Sequence, residues 1–381
     1  MGPLDGVRVI EIASLAPAPF GCMVLADLGA DVIRIDRARP AGGLPAVRAE
    51  VDPLIRGRRS LALDLKSDAG REAVLRLASA ADVFVEGFRP GVAERLGIGP
   101  EPCLEANGRL IYARMTGWGQ TGPLADRAGH DINYIAASGA LEPIGRADQP
   151  PTVPLNFVGD FGGGGLLLVV GVLAALYERE RSGAGQVVDV AMVDGSGLLT
   201  ASLHGMIASG TWGPGRGTNL LDSGAPFYDT YETADGRYVG VGAIERKFYA
   251  QLLCGLGLNK AELPDQYDRS RWAELRQRLA IAFKAHDQSH WEEVFADTDA
   301  CVFPVLSPVE ATRHPAARAR DSFVTVGGTP QPAPAPRFSR TPAAVPCAPA
   351  TFAAPVDALR AWGLSLPDGA KYAGGGEPPE P

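Results

Sequence analysis

From residue 7 to residue 113 the chain repeats one pattern: a short β-rich apolar run, a turn, a helical segment and another such run. The run at 7–12 passes through a proline-containing turn into a helical segment over 20–28 and a second run at 32–35. A helical pattern over 69–78 precedes Val83-Phe84-Val85, and one around 92–96 precedes a run at 110–113. Strands alternating with helices pair in parallel through crossovers, and the helices cover both faces of the sheet. The pattern predicts a Rossmann-like α/β domain whose ligand crevice lies beyond the carboxyl ends of the strands. Those ends fall at 13–19, 36–39, 86–89 and 115–119, where Gly, Arg and Pro concentrate.

A helical segment over 163–180, stopped at Ser182-Gly183-Ala184-Gly185, and a strand at 187–192 extend the large domain to 1–200. Composition then changes. Residues 201–226 read as a linker. A hairpin over 227–241 turns at Asp235-Gly236, and helical patterns follow at 248–253, 272–285 and 291–295. This predicts a smaller α+β domain over 227–318. A return segment over 319–366, with a short helix at 356–362, is expected to complete the large domain, and the Gly/Pro tail 367–381 to be disordered.

At 381 residues the chain is long for one core, and its 46% hydrophobic and 21% charged content is that of a soluble enzyme. A net charge of −8 argues against a nucleic-acid partner. Residues 34–66 nevertheless carry eight basic side chains against four acidic ones, a local patch suited to phosphates. Five scattered cysteines without metal-ligand spacing suggest buried thiols in a reducing, cytoplasmic compartment. The longest apolar run, 166–176, is about half of the ~20 residues that cross a bilayer, so a buried helix and no membrane partner are expected.

Chemistry concentrates at two places. R-M-T-G-W-G-Q-T-G-P over 114–123 leads to Gly129-His130-Asp131, and Gly159-Asp160-Phe161 opens a run of glycines from Gly162 to Gly165. As local structure, Asp131 and Asp160 read as helix caps and His130 as the residue before one. Four glycines in a first helical turn cost roughly 1 kcal/mol each relative to alanine, so something must approach that backbone closely. Read together, an imidazole and a carboxyl at two helix starts suit an enzyme that takes a proton from one face of a carbon and returns one to the other. Backbone N–H groups nearby would serve the oxyanion formed between.

Glu245 follows a strand and precedes a helix, so it is either an acid stabilised by the helix dipole or a carboxylate that orients a histidine. His286 and His290 are not expected to share a helix face, which argues against a metal site. Gly195-Ser196-Gly197 lacks the flanking glycines of a serine-hydrolase elbow. The turn at 13–19, A-S-L-A-P-A-P, lacks every glycine of a dinucleotide loop, although Asp36 stands where a ribose-binding acid would.

The segments V-R-V-I-E-I (7–12), A-D-L-G-A-D-V-I-R-I-D-R (26–37), L-D-L-K (63–66), E-G-F-R-P-G (86–91), M-T-G-W-G-Q-T-G-P, G-H-D-I-N-Y (129–134), G-D-F-G-G-G (159–164) and G-A-I-E (242–245) together resemble the class III CoA-transferase superfamily. Within it, the resemblance is to the racemases of 2-methylacyl-CoA thioesters, over roughly residues 3–350. It implies that His130 and Asp160 are the opposed acid/base groups, with Glu245 hydrogen-bonded to His130. Arg37, Leu63, Asp64, Leu65, Lys66, Gly87, Phe88, Arg89 and Arg95 match positions that hold CoA, and Gly129, Asp131, Ile132, Asn133 and Tyr134 match the loop around the thioester. An interlocked homodimer is implied, Glu245 serving the partner's site. CoA would be part of the substrate and no cofactor is expected. The alternative within the superfamily is transfer of CoA between carboxylic acids, with the carboxylate at Asp160 as nucleophile. Such transferases typically lack the histidine, so His130 favours the racemase. The usual G-A-I-E-P-Q-F-Y reads G-A-I-E-R-K-F-Y here, which places Arg246 and Lys247 in the loop beside Glu245.

Overall fold

The computed structural model describes residues 2–37, 51–348 and 359–365. Arg39 and Arg48 of the basic stretch, residues 356–358 of the helix expected at 356–362 and the tail from 367 lie outside the described residues. Strands β1 (Arg8–Ile12), β2 (Asp31–Arg37), β3 (Arg58–Leu63), β4 (Val83–Glu86), β5 (Ile111–Thr116) and β6 (Gln186–Ala191) form one parallel sheet in the order β3-β2-β1-β4-β5-β6. The helices are α1 (Pro17–Asp27), α2 (Asp68–Ala80), α3 (Val92–Arg95), α4 (Pro100–Ala106), α5 (Asp131–Ala137), α6 (Leu167–Ser182) and α7 (Met192–Leu199). Alternation along each strand splits the core in two. Ile10, Ile33, Leu61 and Phe84 pack with Val74 and Leu77 of α2 on one face. Val9, Val32, Val83 and Ile111 pack with Leu25 of α1 and Leu168 of α6 on the other. β1 lies between β2 and β4, so the strand order reverses there and a crevice opens at their carboxyl ends.

β3 was not foreseen, because R-R-S-L-A-L opens with two arginines. A buried acid accounts for the first. Glu11 is fully buried and pairs with both Arg58, itself 3% exposed, and Arg34, the latter at 2.6 Å. Arg56 is likewise claimed by Asp27 at 2.6 Å and by the Pro332 carbonyl at 2.8 Å. Arg59 pairs with Asp31. Four of the six described basic side chains in the stretch expected to hold phosphates are therefore paired with acids of the fold, while Arg37 stands at the crevice.

Among the described residues two compact units are present: 1–138, 155–199 and 315–381 form the first, 139–154 and 200–314 the second. The first includes the hairpin of β10 (Phe323–Val326) and β11 (Thr329–Pro332), and a C-terminal turn whose Leu359 and Trp362 enter the sheet's core. Trp362 Nε1 donates to Asp31 at 2.8 Å. In the second unit β7 (Tyr228–Glu232) and β8 (Tyr238–Gly242) form the expected hairpin, with Gly236 at φ 77°, and β9 (Val302–Pro304) adds a third antiparallel strand. α9 (Arg246–Gly255), α10 (Trp272–Phe283) and α11 (Gln288–Phe295) cover that sheet around Phe227, Tyr231, Phe283 and Trp291. The stretch expected as a linker over 201–226 is instead folded: it contains α8 (Ala201–Ala208) and a loop in which Asp222 accepts the N–H groups of Gly217, Asn219 and Gly224 at 2.9, 2.7 and 3.1 Å. One buried carboxylate organises backbone that has no periodicity for a sequence to display.

The apolar helix is longer than expected. Phe157–Ser182 is one helical run of 26 residues, by length and composition alone sufficient to cross a membrane. Its first turns are packed inside the first unit by the glycines described next.

Candidate active site

His130 is the N-cap of α5, with extended backbone (φ −132°, ψ 173°), and Asp131 is the first helical residue. This corrects the expectation that Asp131 caps. Asn133 Oδ1 accepts the His130 N–H at 3.0 Å, fixing the residue from the helix side. The glycines of the preceding loop make room for Tyr134. A Cβ at Gly117 would lie 2.2 Å from its ring and one at Gly129 2.7 Å, and Trp118 meets the ring edge-on with centroids 4.9 Å apart.

Asp160 is not a cap either. Phe157–Leu166 forms a π-helix that continues directly into α6, and Asp160 lies within its wide turns. π-turns inside longer helices recur at functional sites. The close approach demanded by the four glycines comes from neighbouring helices. A Cβ at Gly163 would sit 2.6 Å from the Ser196 backbone nitrogen of α7, and one at Gly165 2.8 Å from the Pro17 carbonyl of α1. Asp160 Oδ2 accepts from Asn156 Nδ2 at 3.0 Å, and its N–H donates to Asp131 Oδ1 at 2.7 Å. Burial pushes the Asp160 carboxyl above its ordinary range; the Asn156 hydrogen bond opposes this, the Asp131 charge adds to it, and the His130 charge opposes it. Burial, with the Asp160 charge, also raises Tyr134.

His130 and Asp160 line the same cavity, of about 380 Å³, at the carboxyl ends of β1, β2, β4 and β5. Arg37, Gly87, Phe88, Arg89, Gly129 and Tyr134 line it as well. Gly87 is needed there because a Cβ would fall 2.8 Å from Ser14 Oγ. The remaining residues singled out for CoA do not line it. Leu63 is buried in the core and pairs in register with Arg37; Asp64 folds back to accept the Lys66 N–H at 3.0 Å; Leu65 packs against the core. Arg95 ends α3, exposed, with its guanidinium near Gly91. Asp131 is buried behind the wall, and Ile132 and Asn133 are exposed on α5. Ser14 and Trp118, within the strand-end turns at 13–19 and 115–119 where the crevice was expected, also line the cavity, though neither was singled out, and Arg127 and Met192 line it without having been anticipated. Ser14 was legible as the first polar residue past the end of β1, and Arg127 only as a cation three residues before His130.

Glu245 belongs to the second unit. It is the exposed N-cap of α9, its carboxylate makes no capping hydrogen bond, and its charge helps to raise the Cys301 thiol behind burial. The neighbouring cations are engaged within that unit: Arg246 pairs with Asp265 at 3.1 Å and lies over Tyr267, and Lys247 lies over Phe248. Two other motifs close. Ser196 is buried and donates to the Met192 carbonyl at 2.7 Å. The rings of His286 and His290 do meet, stacked with centroids 4.0 Å apart, an arrangement that does not converge their in-plane lone pairs on one ion.

Residues 4–351 match the model of CoA-transferase family III. The chain is 49% identical to alpha-methylacyl-CoA racemase of Mus musculus over 366 residues, covering 95% of this chain and 94% of the mouse protein. It is 46% identical to the protein of the same name from Homo sapiens over 341 residues, covering 89% and 87%. Among solved structures, a CAIB/BAIF family protein from Brucella suis superposes with a TM-score of 0.79 at 27% identity, covering 92% of this chain and 96% of that one.

Proposed function

The chain belongs to CoA-transferase family III, and from the two proton-transfer groups in its crevice we propose that it epimerises the α-carbon of 2-methylacyl-CoA thioesters. The observation that carries the reading is that His130 and Asp160, from separate segments, line one cavity. One removes the α-proton and the other delivers a proton to the opposite face of the planar enolate. The raised Asp160 serves this, since a general acid needs its proton near the working pH. A thioester α-proton is far less acidic than imidazolium, and each pKa unit of mismatch costs about 1.36 kcal/mol, so the enolate oxygen requires its own donors. The first turn of α5 follows directly on the cavity-lining His130, and its Asp131 and Ile132 N–H groups, which have no acceptor within the helix, are the donors proposed for it.

Arg37 and Arg89 at the cavity wall supply cations for the CoA phosphates. CoA enters as part of the substrate, and the proton transfers call for no further cofactor. Five free cysteines, three of them exposed, suit a reducing cytoplasmic setting, and a 2-methylacyl-CoA substrate suits a role in lipid metabolism. The active form is an interlocked homodimer in which Glu245 orients His130 of the partner subunit; the exposed, uncapped carboxylate of Glu245 supports this.

The test is α-proton exchange and epimerisation of (2R)- and (2S)-2-methylacyl-CoA in D2O. His130→Ala and Asp160→Ala should each lower interconversion by about 10²–10⁴-fold. Unimpaired interconversion by both removes the two-base mechanism. An acyl or CoA adduct trapped on Asp160 with a donor thioester would establish CoA transfer instead.

A further inference from the structure

Asp131 is 6% exposed, and its two oxygens fare differently. Oδ1 accepts the Asp160 N–H at 2.7 Å, while Oδ2 is buried with no hydrogen-bond partner among the described residues. Buried carboxylate oxygens are ordinarily satisfied, and an orphan marks a charge held for a purpose or a strain borne for one. The contact is also built from the other side. A Cβ at Gly159 would lie 2.4 Å from Asp131 Oδ1, so only glycine before Asp160 lets the carboxylate in. The pairs His130-Asp131 and Gly159-Asp160 thus interlock: each acid/base residue has a chain neighbour committed to this one contact.

We propose, resting on the two-base reading above, that Asp131 is a positioning residue whose buried carboxylate ties the start of α5 to the π-helix and presents a fixed like charge to Asp160. The hydrogen bond fixes the separation of the two segments that carry His130 and Asp160. The charge disfavours ionisation of Asp160, in line with the direction in which its carboxyl is displaced. The titratable groups acting on or sensing Asp160 are Asp131, His130 and Tyr134, while Asn156 only donates a hydrogen bond. The other helices packed on the segment, α1 and α7, meet it through Pro17, Phe20, Met192, Gly195, Ser196 and Leu199, none of which titrates, and Arg37, Arg89 and Arg127 share the cavity wall with Asp160. This role belongs to the side chain, whose oxygens are buried against the π-helix, and so differs from the contact proposed between the Asp131 N–H and the thioester oxygen.

Asp131→Asn keeps an oxygen for the Asp160 N–H and removes the charge; Asp131→Ala removes both. For Asp131→Asn, with the epimer whose α-proton Asp160 removes, the acidic limb of kcat/KM set by Asp160 should move down by about one pH unit, with KM for the thioester within about twofold of wild type. Asp131→Ala should in addition lower kcat by about tenfold or more, again at little cost in KM. Asp carboxyl 13C titration, with Asp160 assigned through Asp160→Asn, should show the same downward shift in Asp131→Asn. That readout needs no turnover. An unmoved Asp160 titration together with wild-type kcat would overturn the proposal, as would an effect confined to KM, which would make Asp131 a CoA contact. Absence of α-proton exchange in the wild-type enzyme would instead overturn the racemase reading and leave the titration result standing.

Discussion

Asp160 carries a carboxyl that folding makes harder to ionise, and the sign of that shift fixes a consequence for stability. A carboxyl whose folded pKa lies above its unfolded one contributes stability that is fully present below the ordinary carboxylate range and is lost as pH rises through the folded pKa. At neutral pH the ionised group is therefore a burden on the fold. Asp160→Asn, which keeps an acceptor for Asn156, should raise Tm at about pH 8 and show no gain near pH 4, while abolishing interconversion of epimers. Equal Tm differences at both pH values would show that the side chain is not held against its charge. The chemical identities of His130 and Asp160 were legible in sequence, because an imidazole beside a glycine-rich loop and a carboxyl beside four glycines stand out. Their local roles were not. An Asp ahead of an apolar run reads as a cap whether or not the helix has already begun, and a π-turn leaves no periodic signature in ten residues.

The π-helix keeps its shape through contacts that glycine alone permits. Gly195 of α7 lies across Gly163, where a Cβ at 195 would stand 1.9 Å from the Gly163 carbonyl oxygen. The obstruction is backbone, so no rotamer relieves it. Gly195→Ala should cost about 1–3 kcal/mol or more in denaturant unfolding. It should also depress kcat, because relief requires α7 and the segment carrying Asp160 to separate. Full activity with unchanged stability would mean that the helices slide apart freely. Elements with strong periodicity, such as α2 and the strands β1, β2, β4 and β5, were readable because their apolar spacing matches the faces they bury. β3 was not, since its first residue is an arginine neutralised by Glu11 on a strand 47 residues earlier, a pairing that only the folded sheet brings about. The four glycines were rightly taken as a sign of close approach, but what approaches is α1 and α7.

Across the whole molecule the proposed acid/base pair and the carboxylate proposed to orient it belong to different units: His130 and Asp160 to the first, Glu245 to the second. The two candidates for Glu245 make opposite demands. A carboxylate that merely steadied α9 by its dipole would matter equally in any chain, and its removal would cost well under about 1 kcal/mol of stability and no activity. One that orients the partner's imidazole must act between chains. Co-expressing His130→Ala with Glu245→Ala chains separates these possibilities. If Glu245 serves the partner subunit, each mixed dimer contains one doubly damaged site and one intact site, and random pairing restores about a quarter of wild-type activity from two inactive parents. If Glu245 serves its own chain, every site in the mixed dimer carries one lesion and nothing is restored. Activity that is undiminished in Glu245→Ala alone would remove it from the mechanism altogether. The cations beside it, Arg246 and Lys247, are held by Asp265, Tyr267 and Phe248 within their own unit. Their replacement by Pro and Gln should accordingly leave the complementation pattern unchanged.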